Sequence, residues 1–77
     1  MLNASTVQSL IDLNSNSIYK LEKKVNTIYL WPNTPLAVKR QVVSPYKNKI
    51  KKLAFIQVQL KKELKDIHEY TRLYEQL

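Results

Sequence analysis

Two runs of residues alternate in spacing by four and three, and they constrain this chain more than any other feature. Val7, Ile11, Asn14, Ile18, Leu21, Val25 and Ile28 form the first run; Tyr46, Ile50, Leu53, Gln57, Leu60, Leu64, Ile67, Thr71 and Tyr74 form the second. Such spacing puts one stripe of side chains along a helix, to be covered by another helix. Glycine is absent from all 77 residues. Turns that need positive φ therefore have almost no supplier except Asn, and the tight turns of strand hairpins lose their usual residue. The expected fold class is all-α: an antiparallel two-helix hairpin of coiled-coil type, forming a single domain.

Punctuation sets the expected boundaries. Ser5 or Thr6 is placed to cap the first helix, with Gln8 three residues after Ser5 in capping-box position. Pro32 disfavours helical geometry at Trp31, so the first helix is expected over about 5–31. Thr34-Pro35 and Ser44-Pro45 each read as an N-cap followed by proline at the first helical position. They predict a connector over 32–44 containing a short helix at about 35–43, then a second long helix at about 45–76. Pro45 fits equally a kink in one continuous helix. If the chain folds back about the middle of that connector, Ile28 faces Tyr46, Val25 faces Ile50 and Ile11 faces Leu64.

A domain of this size buries a small core, and with no cysteine it has no disulfide support, so oligomerisation is the expected substitute. The apolar stripes agree, being wider than a two-helix seam requires. Leu10, Leu13 and Tyr19 flank the first seam; Ile56, Tyr70 and Leu77 flank the second. The stripe through Leu53, Ile56, Leu60, Leu64 and Ile67 is the expected docking surface for a protein partner, either a second copy or a different chain. Phe55 lies with Val58 between Lys51 and Lys62 on the back of the second helix and is a further candidate contact. Asn14 and Gln57 interrupt the seams, where polar groups need partners or serve to fix register.

Charge is concentrated near the middle of the chain. Residues 20–52 hold Lys20, Lys23, Lys24, Lys39, Arg40, Lys47, Lys49, Lys51 and Lys52 against Glu22 alone, a net of +8 within a total of +7. Folding back brings these nine to one end of a rod, a basic tip suited to an acidic protein surface or to the phosphates of a nucleic acid. Tyr29, Trp31 and Tyr46 sit among them. Plugging the end of the bundle is the expected role of these rings, and stacking on bases the alternative. A helix-turn-helix at Val43-Ser44-Pro45 has too little room for its turn, and lysine is a poor reader of base edges. Ser44-Pro45-Tyr46-Lys47 resembles the acceptor pattern of proline-directed cyclin-dependent kinases, making Ser44 a candidate modification site at a helix N-terminus.

No catalytic constellation is legible. His68 is the only histidine, there is no Gly-rich phosphate loop, and Glu63, Asp66 and Glu69 read as ordinary helix charge interspersed with Lys62 and Lys65. No cofactor or metal is expected. The N-terminal stretch lacks the pattern of a secretory signal and no segment is apolar enough to span a bilayer, so an intracellular protein without a membrane role is expected. Together these features predict a non-enzymatic interaction subunit or small regulator that assembles by helical packing and presents a basic tip. Nucleic-acid binding through that tip, without strong sequence readout, is the alternative.

Overall fold

The computed structural model describes residues 3–76 and contains two helices, α1 (Ala4–Tyr29) and α2 (Leu36–Glu75), of 26 and 40 residues. No strand occurs among the described residues. Leu77, expected beside the second seam, lies outside them. At 1.5 Å per residue α2 alone is about 60 Å long, which accounts for the molecule's extents of 65 × 16 × 15 Å. The radius of gyration is 18.0 Å, where a compact domain of this length has about 11.5 Å.

The helix starts differ from expectation. Asn3 caps α1: its side chain accepts from the Thr6 backbone N–H at 2.8 Å. Ser5 and Thr6 lie within the helix, and Gln8 donates to Asp12 instead of completing a capping box. With Asn3 as the cap the helix starts two residues earlier, and the Val7 amide that Ser5 would have served bonds the Asn3 carbonyl instead. At α2 the cap position is Pro35, and the Thr34 hydroxyl donates to the Pro32 carbonyl. The chain turns within residues 30–35, where Asn33 takes φ 55, a left-handed conformation that Asn tolerates.

The separate connector helix and the N-cap at Ser44 are not found. α2 runs without a break from Leu36 through Pro45, so the two segments expected at 35–43 and 45–76 are one helix. Pro45 withholds one ladder bond, from the Gln41 carbonyl, but packing on both sides of it outweighs that loss. Val43 is wholly buried and joins Val25 and Ile28 in a cluster covered by Tyr29, Val42, Tyr46 and Ile50.

Moving the turn forward also changes the pairing of the helices. Asn14 bonds Gln57 and the Leu53 carbonyl, and Gln57 bonds the Ile11 carbonyl. A fold-back centred on residues 32–44 would instead have put Ile11 opposite Leu64. The turn is centred near residue 33, about one helical turn earlier than supposed. The heptad stripes themselves hold: Val7, Ile11, Asn14, Val25, Ile28 and Gln57 are buried, while Ile18, Leu21, Tyr46, Ile50, Leu53, Leu60, Leu64 and Ile67 are half-buried. Thr71, beside the first residues of α1, and Tyr74 are exposed.

Candidate interaction surface

Inside the seam, Asn14 and Gln57 form a closed polar pair. Asn14 Nδ2 donates to Gln57 Oε1 and to the Leu53 carbonyl, both at 2.8 Å. Gln57 Nε2 donates to the Ile11 carbonyl at 3.3 Å and to Ser15 Oγ at 2.6 Å. All four amide hydrogens are thereby used, and no buried side-chain polar atom among the described residues lacks a partner. The pair is a register lock, because sliding either helix by one turn strands amides at positions that are 9% exposed. The sequence marked both residues as polar seam members; their pairing follows only from the earlier turn.

Beside the seam lies an apolar face contributed by both helices. Leu10, Leu13, Asn14 and Ser17 of α1 and Ile56 and Leu60 of α2 line one shallow groove, with Leu13 63% and Ile56 46% exposed. The docking stripe read from the sequence divides here. Leu53, Leu60, Leu64 and Ile67 are half-buried against α1, whereas Ile56 remains open. Leu10 and Leu13, which flank the first seam in sequence, are the larger part of the exposed face. Phe55 and Val58 are exposed on another side of α2.

The accessible surface of 6349 Å² exceeds the roughly 4,900 Å² typical of a folded monomer of this mass. Among the described residues only Val7, Ile11, Val25, Ile28 and Val43 are buried apolar ones. Such a core is thin for a chain without disulfides.

At the turn end, the basic residues differ in their surroundings. Lys39 is half-buried and its Nζ donates to the Tyr29 carbonyl at 2.8 Å. It supplies from α2 the cation that α1 lacks in its own last turn. Lys47 Nζ stands 5.4 Å from the centre of the Tyr29 ring, a cation–π contact. Lys20, Lys23, Lys24, Arg40, Lys49, Lys51 and Lys52 are exposed. Tyr29 and Tyr46 pack on the core cluster. Trp31 does not plug the end: it is 41% exposed, and its neighbour Leu30 is 82% exposed. The first turns of α2, with Val42 and Val43, already cover Ile28, leaving the indole no cavity to fill.

Ser44 is exposed but lies two turns inside α2. A phosphate there would miss the helix N-terminus that the Ser-Pro pair suggested. His68 is exposed and shares a shallow groove with Lys61, Lys65, Glu69 and Arg72. Among the described residues no group of three His, Cys, Asp or Glu is placed to hold a metal ion, and no helix is long and apolar enough to cross a membrane. Comparison of the chain with protein-family models, with curated proteins and with solved structures gives no match.

Proposed function

We propose that the chain is a non-enzymatic assembly subunit, an antiparallel helical hairpin completed into a helical bundle by a protein partner and offering its basic end to an acidic surface. The exposed face made by Leu10, Leu13 and Ile56 carries this reading. It lies beside a thin core, on a chain with more accessible surface than its mass warrants, and covering it is the direct way to gain apolar burial. The exposed lysines at the turn end give a second property, attraction of acidic protein or nucleic-acid phosphate.

The test is solution mass by light scattering with helicity by circular dichroism, for the natural chain and for Leu13→Asp. Leu13 is chosen because it is exposed, whereas an aspartate at half-buried Leu60 would break the hairpin itself. Loss of assembly with helicity retained supports the reading; a fully helical monomer indifferent to Leu13→Asp refutes it. The nucleic-acid reading stands apart from this, since its affinity must fall steeply as salt rises.

A further inference from the structure

The stripe of α2 that contains Ile56 also contains Lys49, Lys52, Gln59, Glu63 and Asp66, spaced by three and four residues throughout. Read along the helix it runs basic, basic, apolar, polar, acidic, acidic. Reversed end for end, that order places each basic position against an acidic one: Lys52 meets Glu63 and Lys49 meets Asp66, with Ile56 beside Gln59 at the centre. Glu63 and Asp66 line one groove with Asn3, Ala4 and Tyr70, while Leu10, Leu13, Ile56 and Leu60 line its neighbour. On α1 the matching stripe runs from Leu10 and Leu13 through Ser17 to Lys20 and Lys24, adding two cations at the basic end.

We infer that the occupant of this face is a second copy of the same chain, laid antiparallel across a twofold axis, so that α2 packs on α2 and α1 on α1. The inference rests on the assembly reading above and deepens it by naming the partner and the register. A twofold interface uses one patch twice, so the patch must be complementary to itself when reversed. This stripe meets that condition in charge, and Leu13 of α1 supplies the apolar centre beside it. The axis passes between Gln57 and Val58 on α2. Because Gln57 is level with Asn14, the axis passes near Leu13 on α1 and brings Leu13 close to its own counterpart. Arg40, Lys47 and Lys51 belong to a different stripe of α2 and stay open at each end of the dimer, which therefore presents two basic tips.

Charge exchange tests the register. Variant one carries Lys49→Glu and Lys52→Glu; variant two carries Glu63→Lys and Asp66→Lys. All four side chains are exposed, so helicity is expected to survive, and circular dichroism checks it. Each variant alone sets like charges opposite one another at both ends and is expected to dimerise about tenfold or more weakly. Mixing the two restores opposite charges at both ends and is expected to recover a mixed dimer. Lys51→Glu with Lys61→Glu, off the stripe, leaves the natural dimer unchanged. A single Leu13→Cys is expected to cross-link under oxidation and Val58→Cys is not. If the natural dimer forms and both charge variants dimerise like it, the proposed register is overturned, while sensitivity to Leu13→Asp would still uphold assembly through this face. A natural chain that stays monomeric at high micromolar concentration overturns the self-pairing. It leaves the wider reading standing if that monomer unfolds without cooperativity, and removes that reading as well if the monomer is fully helical and melts cooperatively.

Discussion

The Asn14–Gln57 pair gives the sharpest test of how the two helices are held in register. Replacing Asn14 by Leu removes both Nδ2 donations and leaves Gln57 Oε1 without its donor at a buried position. Stranding a buried acceptor costs about 1–3 kcal/mol. Gln57→Met strands one Asn14 hydrogen and removes the donors to Ile11 and Ser15, a cost in the same range. The double variant leaves no side-chain amide in the seam. Replacing both partners by apolar groups of similar shape is close to neutral, so the cycle should show a coupling of about 2–6 kcal/mol, the sum of the two single costs. With an m-value of about 1 kcal/mol/M in urea for a small domain, each single variant should lower the unfolding midpoint by about 1–3 M and the double should recover most of it. The assay is urea unfolding followed by circular dichroism, at one fixed protein concentration because self-association shifts apparent stability. Single variants costing less than about 0.5 kcal/mol, the scale of ordinary surface changes, or a double variant as unstable as the two singles added together, would refute the lock.

Other perturbations reach different parts of the molecule. Pro45→Ala restores an N–H to the interior of α2 and should stabilise the chain by up to about 3 kcal/mol; a loss of stability in thermal unfolding would mean that the proline ring itself is needed for packing. Lys39→Met removes the ammonium from the Tyr29 carbonyl and should cost about 0.5–1 kcal/mol, less at high salt, read as a salt-dependent shift in the urea midpoint. Reversing Lys23, Arg40 and Lys51 to Glu should weaken binding to a polyanion such as heparin and flatten its salt dependence, leaving the solution mass unchanged; undiminished binding would place the anion site elsewhere.

The helical class and the identity of the seam residues were legible because a seam is written in spacing alone. Val7 through Ile28, and Tyr46 through Ile67, fall where the four-three pattern puts them, whatever the turn does. Partnership across the seam was not legible, since it depends on where the chain turns. Two Ser/Thr-Pro pairs looked like two helix starts, yet neither Thr34 nor Ser44 is a cap, and Val43, assigned to the connector, is wholly buried in the core. Local capping preferences are worth about 1 kcal/mol. Covering Ile28 with Val42 and Val43 requires α2 to begin early, and burial of such side chains is worth about 1.5–3 kcal/mol each. The open face was half legible: spacing marks Leu10, Leu13 and Ile56 as excess width, but it does not separate them from Leu53, Leu60, Leu64 and Ile67, which are half-buried against α1.

Those two levels of pattern on α2 would let one helix serve two contacts, α1 and the second copy proposed above, without ambiguity. The seam positions hold the apolar residues and the single buried amide, so α1 is selected by shape and by one hydrogen-bonded pair. The adjacent stripe holds one apolar residue, Ile56, between opposite charges, so in the proposed dimer the preference for a partner would be set by electrostatics. A face too apolar would compete with α1 for the seam, and the mostly polar character of the stripe prevents that exchange. The same division predicts different salt responses. Packing within the chain should be nearly indifferent to ionic strength, whereas an assembly resting on Lys49, Lys52, Glu63 and Asp66 should weaken as the Debye length shortens from about 10 Å at 0.1 M to about 3 Å at 1 M. Mass and helicity followed together across that range separate the two contacts: mass falling while helicity holds is the signature of a charge-selected dimer built on a salt-insensitive hairpin, and a parallel loss of both would show that the second copy is part of the core.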